Sequence, residues 1–481
     1  MLKVLFAAAE AVPFVKTGGL GDVIGTLPRE LKKQGVDVRV ILPKHGVIPE
    51  KYKRQMVLKQ TLEVAVSWRK QYCGIEELEY EGITCYFVDN QYYFGSRPAA
   101  YGHHDEAECY TYFCRAVLEC LPVLDFQPDI LHCHDWHTAL IPVFLQAQYR
   151  LNPFYQQMKT LFTIHNLRYQ GRFAKEIVPD ILGLDWEYFN NGSIEYHDSV
   201  NFMKGGLIFA DLISTVSRSY AEEIQYPFFG EGLDGLLRHR RKQLIGIING
   251  IDYNEYDPAA DEVLHTHYDA NSPELKQKNK RSLQEKLGLP RVDIPVIGIV
   301  SRLVGPKGFD LVANILFELL GSEDIQLVVL GTGEGKYEEL FRHAAWRYPD
   351  RVSANIFFDD ALAHQIYAGA DLFLMPSLFE PCGIGQLIAM RYGALPVVRE
   401  TGGLKDTVQS FNRITGQGTG FTFDNYNAHD MLFTIRRAIR YYYDKENWLK
   451  IVRNAMAKDF SWHASAQAYL DVYQKLVNHE L

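Results

Sequence analysis

The chain has no C-x-x-C pair, no apolar run of membrane-spanning length and no basic face. Its seven cysteines are odd in number and six of them precede Asp135, which excludes a disulfide framework and predicts a reduced, cytosolic protein. The chain opens on a strand-like run without a charged-then-apolar leader or an arginine- and serine-rich transit segment, so a cytoplasmic location without membrane contact is expected. With a net charge of -9 and a pI near 6.0, and no arginine-rich run to offset it, a nucleic-acid partner is not expected. The small cluster Arg238-His-Arg-Arg-Lys242 reads as a solvated helix end or a local anion contact.

Two common phosphate motifs are missing as well. After Gly19-x-Gly21 the dinucleotide fingerprint fails at Ile24, and the strand Val36 to Leu42 runs into Pro43-Lys44-His45 rather than an acidic residue, which argues against NAD. The segment Gly331-Thr-Gly-Glu-Gly335-Lys336-Tyr337 is one residue short of a Walker A loop and carries Tyr where magnesium needs a hydroxyl, which argues against ATP hydrolysis. The run His132-Cys-His-Asp-Trp-His137 has no carboxylate-rich or cysteine-rich partner segment, so no metal is expected.

What is present is an α/β pattern that starts twice. Val/Ile/Leu-rich runs separated by helical lengths occur at Val4 to Ala9, Cys85 to Val88, Ile130 to Cys133, Thr160 to Ile164 and Leu212 to Val216. They begin afresh at Val296 to Arg302, Gln326 to Leu330, Ser353 to Phe358, Asp371 to Pro376 and Leu395 to Arg399. Such runs are what buried parallel strands look like, and 481 residues suffice for two domains. The fold class expected is α/β, with two doubly wound Rossmann-like parallel sheets facing a cleft, ligands at strand C-terminal ends and a linker at Asp257 to Pro273.

Chemistry-bearing residues gather at those strand ends. Lys16-Thr-Gly18-Gly19-Leu-Gly-Asp22 lies between a strand and a helix, where glycine amides and a lysine suit phosphate. Arg302 and Lys307 can hold a diphosphate and neutralise it as a leaving group. Glu380-Pro-Cys382-Gly383-Ile384-Gly385-Gln386 offers a carboxylate for sugar hydroxyls and amides for phosphate, and Thr401-Gly402-Gly403 a third set of amides. In the first half, His165-Asn166 ends one strand, and Trp136 with His137 after another reads as a sugar platform.

The ordered motifs KTGGLGDV, HDWHT, TIHN, NGID, SRL-x3-KG, EPCGIGQ and TGGLKDTV resemble those of bacterial glycogen synthases and plant starch synthases. The resemblance implies the GT-B glycosyltransferase fold, with an acceptor-side domain over 1–250, a nucleotide-sugar domain over 251–460 and a final helix over 461–481 crossing back. It implies transfer of glucose from ADP-glucose to the 4-hydroxyl of an α-1,4-glucan such as glycogen or a malto-oligosaccharide, with retention and with no metal or other cofactor. By the same resemblance Lys16, Arg302 and Lys307 clamp the diphosphate with Gly18 and Gly19, Glu380 and Asn249 contact the sugar, and the backbone of His165 lies beneath it. Glu10, Asp22, Trp136 and His137 fall on the acceptor side, and Tyr367 near the base. The chain departs from the family pattern at Gly385, where many members have Thr, at Cys109-Tyr110, where Arg-Phe is usual, and at Ile388, where related enzymes carry a second glutamate.

No nucleophile beneath the sugar is required if the acceptor enters on the face that ADP leaves; a double displacement needs a close carboxylate. A UDP-glucose donor and a glucan-binding homologue without catalysis stay open as alternatives.

Overall fold

The computed structural model describes residues 1–480, and the chain forms two units. The first comprises Met1–Val216, Ala221–Ile247 and the stretch from Trp462 onward; the second comprises Ser217–Tyr220 and Ile248–Ser461.

In the first unit a nine-stranded sheet is built from β1 (Lys3–Ala7), β2 (Asp37–Pro43), β3 (Val57–Val66), β4 (Arg69–Tyr80), β5 (Ile83–Asp89), β6 (Ile130–His134) and β7 (Lys159–Ile164), with β11 (Leu212–Thr215) and β12 (Leu244–Gly246) completing it. Three short antiparallel strands, β8 (Arg172–Ala174), β9 (Glu195–Tyr196) and β10 (Ser199–Asn201), form a separate small sheet. The large sheet runs β12-β11-β7-β6-β1-β2-β5-β4-β3 and is parallel from β12 to β5. The β3–β4 hairpin is antiparallel and was not expected. Lys59, Gln60 and Glu63 interrupt its apolar residues because β3 is an edge strand with much of its surface in solvent, and polar side chains there discourage pairing with other chains.

The helix Gly19–Lys33 that follows β1 buries Leu20, Val23, Ile24, Leu27 and Leu31, the three- and four-residue spacing of one helix face. Trp462, Ala466, Tyr469, Tyr473 and Leu476 of the helix Trp462–Val477 share that core.

The second unit is a six-stranded all-parallel sheet of β13 (Val296–Val300), β14 (Gln326–Leu330), β15 (Val352–Asn355), β16 (Leu372–Met375), β17 (Leu395–Arg399) and β18 (Phe421–Phe423), in the order β15-β14-β13-β16-β17-β18. Ranked along the chain this is 3-2-1-4-5-6, the doubly wound Rossmann order. In both units the chain reverses direction of travel across the sheet beside the first strand, between β1 and β6 and between β13 and β16. A crevice opens outside the strand ends at such a point, so the two loops flanking it face one ligand space in each unit.

The stretch expected as a linker is part of the second unit's core. Leu264 and Tyr268 are buried there, the Tyr268 hydroxyl donates to the Tyr392 carbonyl at 2.7 Å, and Asp261 binds His364 at 2.7 Å. Its polar residues had disguised these anchors. Arg238 pairs with Asp234 at 2.7 Å at a helix end, while Arg240 donates to the carbonyls of Leu207, Ile208 and Ala210, an internal cap rather than an anion site. Among the described residues no helix is long and apolar enough to cross a membrane.

Candidate active site

At the β1/β6 switch point the loop after β1 folds around a buried carboxylate. Glu10 Oε2 accepts from the Thr17 amide at 2.8 Å and hydroxyl at 2.5 Å, and Oε1 from the Gly21 amide at 3.2 Å. Burial outweighs these donors and holds Glu10 above the ordinary carboxylate range. Part of the cradle expected to receive phosphate, the Thr17 and Gly21 amides, is therefore taken by the chain's own anion, while Gly18 and Gly19 are exposed. Lys16 pairs with Asp22 at 2.7 Å with side chains 52% and 31% exposed, an ion pair solvated enough to be redirected at little cost.

Across the switch, β6 ends in a strained turn. Asp135 has φ 57° and ψ -179°, a region almost confined to glycine and costing about 1–3 kcal/mol. Its carboxylate takes the His165 amide at 2.8 Å and the Asn166 amide, while burial pushes its pKa up to about 7. The strained residue thus fixes the peptides at the end of β7. Asn166 Oδ1 accepts from the Arg168 amide at 3.1 Å, and His165 Nε2 lies 3.0 Å from His134 Nδ1. Burial lowers the His165 pKa to about 3.

The histidine run is distributed inward. His132 is held between the Tyr473 hydroxyl and Thr163 Oγ1, both at 2.7 Å, and is a satisfied core histidine. Trp136 is walled by Tyr110, Phe173 and Phe202, and a Cβ at Gly171 would fall 2.3 Å from its ring. It is core, not the sugar platform expected, because the turn after β6 points it into the unit. His137 lies against Tyr101 and Tyr110, with ring centroids at 4.9 and 4.6 Å, and its buried Nδ1 has no partner. Tyr101, packed on His137, and Asp135 are site residues that motif reading missed. The signal for Asp135 was its position directly after a buried strand.

At the β13/β16 switch point of the second unit, Lys307 Nζ reaches Glu380 Oε2 at 2.6 Å, with the lysine side chain 25% and the glutamate side chain 9% exposed. Ser377 Oγ donates to the same oxygen at 3.0 Å. Lys307 is thus not a bare cation but half of a pair, whereas the exposed Arg302 guanidinium has no partner among the described residues. The Glu380 loop is braced from below. Arg399, at the end of β17, donates to the Ser377, Leu378 and Asp424 carbonyls, and Gln386 Nε2 to those of Cys382 and Gly383 at 3.1 and 3.0 Å.

The Thr401-Gly402-Gly403 turn packs on the Glu380 loop with no room for side chains. A Cβ on Gly402 would sit 2.0 Å from the Glu380 carbonyl oxygen, and one on Gly403 2.0 Å from that of Cys382; the Gly403 amide donates to the Glu380 carbonyl at 3.0 Å. These glycines are needed for close backbone approach. Ile384 caps the helix Gly385–Arg391, and a Cβ on Gly385 would lie 3.2 Å from the Phe373 ring, so the departure from Thr goes with a bulky neighbour on β16. Cys382 is buried with its thiol pushed up to about 12 by burial, which excludes it as a nucleophile. Asn249 Oδ1 is buried without a partner. Ser217 donates to the Pro381 carbonyl at 2.5 Å and Ser219 to Asp406 at 2.6 Å, tying the segment after β11 to these loops. Tyr367, expected near a base, is core: its ring packs on Phe373 at 5.0 Å, and its helix Asp360–Gly369 turns it onto the sheet.

The chain is similar to known proteins in sequence and in fold. The family model described as starch synthase catalytic domain matches residues 3–239, and that described as glycosyl transferases group 1 matches residues 280–455. A glycogen synthase of Anoxybacillus flavithermus is 57% identical over 99% of this chain and 98% of its own length, and one of Desulforamulus reducens 55% identical over 99% of each. The solved catalytic domain of starch synthase IV from Arabidopsis thaliana, bound to ADP and acarbose, superposes with a TM-score of 0.90 at 34% identity over 99% of both chains. A sucrose-phosphate synthase from Thermosynechococcus elongatus, at 16% identity and TM-score 0.62, shares the fold.

Two Rossmann-type sheets, each with polar side chains gathered at its switch point, define a hexosyltransferase of the GT-B fold. Within that class the chain belongs to the glycogen synthase and starch synthase family.

Proposed function

We propose that the chain transfers glucose from ADP-glucose to the non-reducing 4-hydroxyl of an α-1,4-glucan with retention of configuration, as a cytoplasmic enzyme. The observation that carries this reading is the likeness to glycogen synthases along 99% of the chain. In the second unit Arg302 and Lys307 take the diphosphate beside the amides of Cys382, Gly383 and Gly385, and the Thr401–Gly403 turn, whose Gly403 amide is spent on the Glu380 carbonyl, supports that loop. Glu380 and Asn249 take the glucose hydroxyls; the unpartnered Asn249 Oδ1 favours this role, since an unpaired buried polar atom costs about 1–3 kcal/mol until something binds it. In the first unit Lys16 can leave its solvated partner Asp22 for an anion, Glu10 and His137 serve the acceptor side, and Asp135 fixes the His165–Asn166 backbone at the end of β7.

The bond from the anomeric carbon to the diphosphate oxygen breaks as positive charge spreads over the sugar ring. Cations at the diphosphate stabilise the negative charge that grows there. The acceptor 4-hydroxyl forms the new bond on the same face and passes its proton to the departing phosphate oxygen.

The deciding experiment compares ADP-glucose with UDP-glucose on a malto-oligosaccharide acceptor. A kcat/KM at least about tenfold higher for ADP-glucose, a 1.4 kcal/mol preference, is expected. Equal or inverted preference would assign the UDP alternative, and no product with either donor would mark a binding protein.

A further inference from the structure

Away from the switch point, the second unit gathers a carboxylate, another carboxylate and an imidazole in one place. The ligating atoms of Glu255, Asp360 and His364 lie within 4.8 Å of one another. Glu255 and Asp360 are exposed, whereas His364 is only 5% exposed and forms the floor. Its Nδ1 is 2.7 Å from Asp261 Oδ2, and that carboxylate also accepts from the Tyr392 hydroxyl at 2.6 Å. A carboxylate on Nδ1 takes that nitrogen's proton as a hydrogen bond and leaves the lone pair on Nε2. His364 Nε2 is buried and has no partner. The ring is fixed on its face by Tyr256, stacked at 5.0 Å and 26°.

We propose that Glu255, Asp360 and His364 bind a divalent transition-metal cation of the Zn2+ type. One imidazole nitrogen with two carboxylate oxygens, water completing the shell, suits Zn2+ and its neighbours; magnesium and calcium want oxygen alone. The carboxylate behind the histidine is the usual outer partner of a metal-bound imidazole. The helix Asp360–Gly369 supplies two ligands one turn apart, and the segment that begins with Asn249 supplies the third, so the ion clamps that segment to the helix. Its role is structural, and it does not depend on the identity of the sugar donor.

The test is calorimetric titration of the chelator-stripped full-length chain with ZnCl2, alongside its thermal unfolding and its visible spectrum with Co2+. Expected are one equivalent bound with Kd on the order of micromolar or tighter, a Tm that rises with Zn2+, and Co2+ absorption bands. Glu255→Gln and Asp360→Asn change exposed groups and should leave the fold intact; each should weaken binding by about tenfold or more and cancel the Tm rise. No stoichiometric binding to the parent chain would overturn the site. So would undiminished binding in the Glu255→Gln/Asp360→Asn double variant, which would place the metal elsewhere.

Discussion

Replacing Lys307 with Ala tests two things at once, because the lysine is both the proposed charge on the departing diphosphate and the partner of Glu380. The pair is 2.6 Å apart with 25% and 9% of its side chains exposed. Removing the lysine leaves a nearly buried carboxylate supported by Ser377 alone. Breaking a fully buried pair costs about 3–5 kcal/mol; with the lysine partly in water, about 1–3 kcal/mol is expected here. At about 2–4 °C per kcal/mol for a unit of this size, Tm should fall by several degrees. Catalysis should fall separately, by about 100- to 1000-fold in kcat, the scale of one lost donor to developing charge, with donor KM changing less. The double variant Lys307→Ala/Glu380→Gln distinguishes the effects: a neutral amide no longer needs the cation, so Tm should recover most of its loss while kcat stays low. Differential scanning calorimetry and initial rates with ADP-glucose read the two separately. If Lys307→Ala turned over within about fivefold of the parent, the leaving-group assignment would be refuted, and if the double variant were no more stable than the single one, so would the stranded-charge argument.

Arg302→Ala, which breaks no internal contact, should leave Tm unchanged and still lower kcat by about 100-fold; a parallel loss of Tm would show that its role is structural. Gly403→Ala should depress both activity and Tm because its Cβ meets the Cys382 carbonyl oxygen at 2.0 Å, whereas Gly335→Ala, with nothing within 4 Å, should be neutral in both assays. Stability should fall steeply on the acid side. Burial lowers His45 to about 4 and His137 and His165 to about 3, and pushes His132 and His134 well below the ordinary value. The unfolded chain then binds more protons below about pH 6.5, and stability present above that pH is lost as pH falls toward the folded values. Asp135 acts oppositely: raised to about 7, it stabilises most at low pH and loses that contribution as pH rises from about 4 to 7. Five imidazoles held low outweigh the two raised carboxyls, Asp135 and Glu10, so Tm should fall as pH is lowered from 7 to 5, and an equal Tm at pH 5 and pH 7 would show that these histidines are not buried neutral.

The parallel strands of both sheets were legible because they are buried on both faces and so read as unbroken Val, Ile and Leu runs, while β3 and β18 were not: one carries its polar residues in solvent and the other is only three residues long. Motifs located the loops at the switch points correctly but not the direction of their side chains. Trp136, Tyr367 and Cys382 sit in or beside the right motifs and still face the core, because one turn of helix or one tight bend decides between ligand and interior, and no spacing rule records it. The same limit hid Asp135, whose use depends on a backbone conformation that no residue type but glycine would have announced. Glu10 carries the further lesson for the phosphate-loop reading. Glycine amides at a helix start attract the nearest anion, and a buried glutamate in the chain itself competes for them before any ligand does. On the proposed reading, phosphate at the Lys16 loop has the lysine and the exposed Gly18–Gly19 turn to meet it, while Glu10 keeps the Thr17 and Gly21 amides and fixes the loop's shape.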